Sequence, residues 1–182
     1  MNSLKRLYNW TLDKANHKNA KWYLSLISFA ESSFFPIPPD LLLIPMALAS
    51  KTKAIFYAFI CTFSSVLGGI LGYAIGYYFY NTLGIYIVEF YHLENSFSVF
   101  EDYYKEFGIL IVLGAGITPF PYKFITIASG VFGLNIFLFI IISIVGRGLR
   151  FYLIAVLLYF FGEKIKLIID KYFNILTIVF FI

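Results

Sequence analysis

Long apolar runs and broken apolar runs alternate along this chain. Residues 54–80 and 135–161 are each long enough to cross a bilayer as one continuous helix. Residues 22–50 and 108–134 are also apolar, but polar, proline-containing inserts interrupt them near their midpoints. At about 1.5 Å per residue, no arm of a broken run reaches across the ~30 Å hydrocarbon core. The pattern predicts a broken helical segment followed by a continuous helix, twice over.

Three less regular stretches flank these runs. Residues 1–21 are polar with apolar side chains at helical spacing, which predicts an amphipathic helix in the membrane interface. Residues 81–107 are rich in acidic side chains and predict a surface amphipathic helix outside the membrane. Residues 172–182 are apolar and either begin a last helix or dip partly into the membrane. The predicted membrane domain therefore covers residues 22–171, with repeats at 22–80 and 108–161.

The two inserts share one pattern, a Pro-x-Pro pair followed by a charged residue. Their prolines are Pro36, Pro38 and Pro39 in the first insert, and Pro119 and Pro121 in the second. Each proline removes a backbone donor and stops a helix, so the inserts predict turns at membrane depth. Carbonyl groups left open at that depth need protein or water around them, which implies a polar cavity. Each broken segment is then either one kinked span or a re-entrant hairpin.

The distribution of lysines separates these two topologies. If the broken segments are full spans, Lys51 and Lys53 lie on the side opposite the basic N-terminal residues. If they are hairpins, the lysines of residues 5–21, 51–53 and 164–171 share one side, and the acidic middle lies on the other. Only the hairpin arrangement obeys the positive-inside rule. The sequence therefore predicts an all-α integral membrane protein, an inverted repeat of a re-entrant helical hairpin plus a transmembrane helix, with a cytoplasmic N-terminus.

Composition supports a membrane location and excludes several other classes of protein. The chain has 182 residues, of which 60% are hydrophobic and 13% are charged, about half the charged share of a soluble domain. Its net charge of +4 comes from residues at segment ends, which indicates membrane orientation and not nucleic-acid binding. The only cysteine, Cys61, excludes a disulfide within the chain. Because no catalytic triad, metal-ligand spacing or phosphate loop is visible, we predict neither an enzyme nor a bound metal or cofactor.

Five ionisable residues lie within the apolar segments, where a charge is costly and marks a functional candidate. They are Glu31, Asp40, Lys123, Arg147 and Arg150. One interpretation is an internal set of salt bridges that only locks helices together. The other starts from the excess of one positive charge, which suits an anion, since arginine forks match phosphate oxygens. In that case the three cations bind phosphate, while the two carboxylates balance charge and are able to take up protons.

Glycines at four-residue spacing mark one face of the first continuous helix. Gly68, Gly72 and Gly76 leave room for the backbone of another helix to approach closely. We therefore assign them to helix packing.

The ordered motifs of this chain resemble those of the DedA superfamily, also called VTT-domain or SNARE-associated proteins, and most of all its YqaA-type branch. The motifs are Glu31-x4-Pro36-x-Pro38-x-Asp40, Gly116-x-Thr118-Pro119-x-Pro121-Tyr122-Lys123 followed by Ser129-Gly130, and Gly146-Arg147-x-x-Arg150-Phe151. The resemblance implies two re-entrant hairpins, a multi-pass protein of the bacterial inner membrane, and transport of phospholipids or undecaprenyl phosphate. The family's membrane acidic pair corresponds to Glu31 and Asp40. Better-studied members carry two arginines around the proline of the second hairpin, where this chain has Gly116 and Lys123.

The expected function is that of a lipid flippase or scramblase. An anionic headgroup would pass through a polar groove between the hairpin tips while its tails stay in the bilayer. Two alternatives use the same charges, a proton-coupled transporter of a small anion and a scaffold that transports nothing. The expected partners are membrane lipids, with no nucleic acid, and a homo-oligomer is left open.

Overall fold

The computed structural model describes residues 19–35, 37–90, 92 and 94–181. Most of the predicted interfacial segment, residues 1–18, and the predicted hairpin-tip residue Pro36 lie outside the described residues. All regular structure in the described part of the chain is helical, which confirms the all-α prediction.

Seven α-helices and two shorter helical turns make up the described chain. The helices are α1 (Ala20–Ser33), α2 (Asp40–Ala49), α3 (Ala54–Phe79), α4 (Ile85–Phe90), α5 (Glu94–Ile117), α6 (Tyr122–Val131) and α7 (Ile136–Phe181). A 3-10 turn (Lys51–Lys53) precedes α3, and a π-helical turn (Tyr80–Gly84) follows it. Helix α5 runs without a break from the acidic middle region into the second broken segment, and α7 continues past residue 161 through the apolar end of the chain.

Prolines mark both breaks. Helix α2 begins directly after Pro39 and α6 begins directly after Pro121. A proline suits the start of a helix because its missing N–H group would have no intrahelical partner there. Between α5 and α6 only residues 118–121 are non-helical, so the second insert is a tight connection.

The first broken segment turns back on itself. Helix α1 runs parallel to α3, since Ser28 donates a hydrogen bond to the Cys61 carbonyl and Ser32 shares one with Ser65. The start of α1, the end of α2 and the start of α3 meet in one buried cluster. This cluster includes Ala20, Leu24, Met46, Ala47, Ala54, Ala58 and, from α7, Phe151 and Ala155. The chain therefore reverses direction between α1 and α2, and both open ends lie beside the start of α3.

The second broken segment reverses in the same way. Helix α5 runs parallel to α7, because a Cβ atom at Gly108 would lie 3.2 Å from Leu134, just before α7, and one at Gly116 would lie 3.0 Å from the Cα of Gly146, further along α7. Helix α6 returns along it, since the Tyr104 hydroxyl of α5 lies 2.7 Å from the hydroxyl of Ser129, near the end of α6. The first hairpin therefore lies against α3 as the second hairpin lies against α7. In each case the first arm of the hairpin runs parallel to the long helix that follows it.

Helix α3 lies at the centre and contacts both hairpins through its glycine face. A Cβ atom at Gly68 would meet the Phe29 carbonyl of α1, and one at Gly76 would meet the Ile127 carbonyl of α6. Gly72 lies between these two contacts. Helices α3 and α7 run antiparallel, as the contact of Phe139 with Gly69 and that of Gly148 with Thr62 require.

Two of the described helical stretches are long and apolar enough to cross a membrane. They are Lys51–Phe79 and Ile136–Gly162, with mean hydropathies of 2.0 and 1.9. They coincide with the two continuous runs that the sequence pattern singles out, and they are compatible with association with a membrane.

Candidate functional site

The two proline tips meet at a cavity of about 150 Å³. Pro38 and Pro39 line it from the first tip, and Pro119 and Pro121 line it from the second. Its charged lining residues are Glu31, Lys123, Arg147 and Arg150. The structure therefore brings together residues that are more than one hundred positions apart in the sequence, and four of the five ionisable candidates line one space.

Glu31 and Arg147 form a buried ion pair beside this cavity. The Arg147 guanidinium donates to a Glu31 carboxylate oxygen at 2.7 Å, and the two residues are only 1% and 8% exposed. Arg147 also donates through Nε to the Ser65 hydroxyl at 2.6 Å. Ser65 in turn contacts Ser32, whose hydroxyl donates to the same Glu31 oxygen at 3.1 Å. These four side chains form a closed hydrogen-bonded ring between α1, α3 and α7.

Two aromatic rings complete the surroundings of Arg147. The guanidinium carbon lies 4.9 Å from the ring centre of Tyr122 and 4.6 Å from that of Phe151. Cation–π contacts of this kind stabilise a desolvated guanidinium. The Tyr122 hydroxyl lies 2.6 Å from that of Ser143, which fixes the ring in place. Arg147 is thus held by partners on several sides, and its first role is to join the helices.

Arg150 connects the two hairpin tips. It pairs with the Asp40 carboxylate at the start of α2 and donates to the Thr118 carbonyl at the end of α5. The other carboxylate oxygen of Asp40, Oδ1, is buried and has no hydrogen-bond partner among the described residues. Arg150, one helical turn after Arg147 on α7, therefore joins the first hairpin to the second.

Lys123 differs from the two arginines. It is the second residue of α6, half-buried, and its Nζ lies 5.4 Å from the ring centre of Phe124. Within the described part of the chain, no carboxylate lies within 4.0 Å of its ammonium group. Two carboxylates thus neutralise the two arginines, and Lys123 supplies the excess positive charge of the cavity.

Exposed phenylalanines surround the mouth of the cavity. Phe35 of the first tip is 40% exposed, and Phe120 and Phe124 of the second are 49% and 56% exposed. The charged interior therefore opens past an apolar rim.

Two polar side chains of the apolar segments, Thr126 and Asn135, have structural partners. Thr126 donates to the Ser32 carbonyl at 2.9 Å, which joins α6 to α1, and the Asn135 carboxamide accepts a hydrogen bond from the Phe137 amide at the start of α7. Sequence reasoning identified Glu31 and Arg147 as candidate charges, but it did not predict that they pair or that Ser65 contacts Arg147. A stripe of hydroxyls on α1, Ser25, Ser28 and Ser32, is the signal that could have found part of this network.

The acidic middle region carries a different kind of ion pair. Lys105 and Glu101 lie 2.7 Å apart on α5, one turn from each other, with both side chains exposed. The hydrogen bond that Lys105 donates to Glu101 raises the pKa of Lys105 above its usual value. This pair is solvated, unlike the two at the cavity.

No family model matches the chain, and no solved structure matches it. The chain is 39% identical over 158 residues to an uncharacterized protein of Haemophilus influenzae, an alignment that covers 87% of this chain and 82% of the relative. It is 38% identical over 161 residues to a protein of Histophilus somni named "Uncharacterized protein HI0703 homolog", again covering 87% of this chain and 82% of the relative. Identity at this level over most of both chains means that the protein belongs to the same family as these two relatives.

Proposed function

We propose that this protein is a membrane lipid flippase or scramblase that moves a phosphate-bearing, anionic headgroup across the bilayer. The observation that carries the proposal is the cavity between the two proline tips, with its excess cation at Lys123 and its rim of exposed phenylalanines. The two alternatives account for less of this arrangement.

The outer surface of the molecule supports a membrane setting. Phe56, Phe59 and Phe63 on α3 are each more than half exposed, and so are Phe137 and Phe160 on α7. On a protein in water, an exposed apolar surface that extends along whole helices would mark an interaction site. Hydrocarbon around α3 and α7 would cover it without cost, so both helices are proposed to span the inner membrane of a bacterium, with the N-terminus in the cytoplasm.

The helix directions support an inverted repeat. The unit α1–α2–α3 and the unit α5–α6–α7 each consist of a hairpin and a long helix, and their long helices run antiparallel. If α3 and α7 cross the bilayer, the hairpins enter it from opposite faces and their tips meet near its midplane. Paired broken helices that meet at the midplane are typical of transport sites. On this ground we retain the proposal that the chain is a DedA-superfamily member.

The charges of the cavity suggest how a headgroup would bind. The phosphate would contact Lys123, and Arg150 of α7 would lie next to the phosphate. The acyl chains would pass outward between the exposed phenylalanines. Arg147 would act indirectly, because it holds Glu31 and Tyr122 in position. Glu31 and Asp40 would balance the arginines, and either one could take up a proton when its partner moves away.

A small soluble anion is the closest alternative because it needs the same cation. The apolar rim favours the lipid, since a water-soluble ion gains nothing from Phe35, Phe120 and Phe124. A scaffold explains the buried pair of Glu31 and Arg147, but it leaves Lys123 without a reason to face the cavity.

Lipid movement in reconstituted vesicles tests the proposal. The purified chain is placed in vesicles that contain tail-labelled phosphatidylglycerol, and externally added dithionite reports how fast inner-leaflet label becomes accessible. We expect movement well above protein-free vesicles, and we expect Lys123→Gln to remove most of it. Lys105→Gln, which removes a lysine from the exposed pair on α5, is the matched control and should leave the rate unchanged.

Two results would count against the proposal. One is wild-type vesicles that match protein-free ones, and the other is equal rates for Lys123→Gln and Lys105→Gln. Uptake of labelled phosphate without lipid movement would favour the soluble-anion alternative.

A further inference from the structure

We infer that the cavity between the hairpin tips selects a headgroup with a net charge of −1, as in the phosphodiester phosphatidylglycerol. The inference rests on the proposed function and names the substrate class of the same site. It disfavours both phosphomonoester lipids and zwitterionic lipids.

The selection follows from the charges that the described residues bring to the cavity. Glu31 neutralises Arg147, and Asp40 neutralises Arg150, each through a direct ion pair. Lys123 lines the same cavity without a carboxylate partner in the described chain. The lining residues and their ion-pair partners together carry one unit of net positive charge, and a headgroup with one negative charge neutralises it.

A phosphomonoester brings too much negative charge. Near pH 7 it carries about −1.5 to −2, because its second pKa is about 6. The additional charge would find no further cation without a carboxylate partner among the described lining residues, and it would share the cavity with the carboxylate of Glu31. Uncompensated charge in a partly buried site is expensive.

A zwitterionic headgroup brings too little net negative charge. The phosphate of phosphatidylethanolamine would neutralise Lys123, but its ammonium group would restore the positive charge in the same small space. A volume of about 150 Å³ has room for more than a phosphate group, so the ammonium group would lie in the cavity as well. The ammonium could not move far from the two arginines that line the cavity.

The test compares three labelled lipids in one preparation. Vesicles of neutral lipid with the full chain receive tail-labelled phosphatidylglycerol, phosphatidylethanolamine or phosphatidic acid near pH 7. We expect phosphatidylglycerol to move about tenfold faster than either of the others, which is the effect of one poorly compensated, partly buried charge.

Two substitutions should shift this preference in opposite directions. Asp40→Asn frees Arg150 and raises the charge of the site by one, so the rate of phosphatidic acid relative to phosphatidylglycerol should rise about tenfold. Lys123→Gln makes the site neutral, so the relative rate of phosphatidylethanolamine should rise instead. Ratios within one preparation are insensitive to how much of a variant folds.

The outcomes separate this inference from the proposed function. If no labelled lipid moves faster than in protein-free vesicles, the transport proposal is wrong. If all three lipids move at similar rates, or if Asp40→Asn leaves the ratio unchanged, transport stands and the charge selection is wrong. If soluble glycerophosphoglycerol is taken up while all the lipids stay in place, the site takes a phosphodiester that is not part of a lipid.

Discussion

The two hairpins have the same backbone plan and opposite charges. The first hairpin contributes Glu31 and Asp40, and each is paired with an arginine of α7. The second contributes Lys123, which has no carboxylate partner among the described residues. The first hairpin thus uses its charges in ion pairs that hold helices together, while the charge of the second hairpin takes part in no such pair within the described chain.

The starts of α2 and α6 repeat this contrast. A helix N-terminus carries partial positive charge and is stabilised by an acidic side chain in its first turn. Helix α2 has Asp40 there, whereas α6 has no acidic residue in its first turn and begins with Tyr122 and Lys123. The start of α6 therefore remains attractive for an anion from elsewhere.

The largest expected effect comes from breaking the buried pair of the first hairpin. Arg147→Met would leave the Glu31 carboxylate buried without its cation, so the free energy of unfolding should fall by about 3–5 kcal/mol. Adding Glu31→Gln should recover much of that loss, since no lone charge then remains. Denaturant unfolding in detergent measures both. Lys105→Met is the control for an exposed pair, and a loss as large as that of Arg147→Met would show that burial is not the cause.

Separating the two tips should have the next largest effect. Arg150→Gln loses the contacts with Asp40 and with the Thr118 carbonyl, and hydrogen bonds to charged groups contribute about 1.5–3 kcal/mol. Spin labels at Phe35→Cys and Phe120→Cys should report a longer and broader distance between the tips. Cys61 is fully buried and should not take up label. A distance unchanged from the parent protein would mean that Arg150 does not connect the hairpins.

Glycine substitutions on α3 test whether both hairpins pack equally closely. Gly68→Ala would press a methyl group against α1, and Gly76→Ala would press one against α6. Each should lower stability by about 1–3 kcal/mol, the usual cost of overpacking. Gly114 has nothing within 4 Å of an added Cβ, so Gly114→Ala should cost nothing and could gain helix stability. Thermal unfolding of the three variants decides this, and a tolerated Gly76→Ala would show that the second hairpin is the looser one.

Lys123→Gln should affect stability least. Removing a cation from the start of a helix is expected to leave the free energy of unfolding unchanged or to raise it by about 0.3–1 kcal/mol. Lipid movement should fall in the same variant. A protein that loses stability together with activity would contradict the idea that this lysine is free for a ligand.

The order of helices and the positions of both breaks could be predicted from local signals. Apolar run length defines α3 and the first part of α7, and proline at residues 39 and 121 defines where α2 and α6 begin. The sequence pattern did not predict that α5 continues as one helix through residue 107. The composition of the chain changes there from acidic to apolar, while the backbone remains helical. Composition follows the surroundings of a helix, and helical hydrogen bonding does not depend on them.

The members of the site were predicted more fully than their roles. A charge within an apolar run is rare enough that all five ionisable residues stood out from the sequence. Which carboxylate pairs with which arginine depends on how α1 and α2 lie against α7, and no local pattern encodes that. The contacts of the Tyr122 and Phe151 rings with Arg147 were not predicted, because aromatic residues make up 21% of the chain and two of them carry no signal by themselves.

The hydrogen bond from Thr126 to the Ser32 carbonyl has a mechanical consequence. It crosses directly over Gly72, where an added Cβ would meet both groups. This hydrogen bond therefore holds α1, the first arm of the first hairpin, and α6, the second arm of the second hairpin, at the same point on α3. We expect α1, α3 and α6 to move as one unit, so that a displacement of either hairpin arm on α3 has to carry the other arm with it.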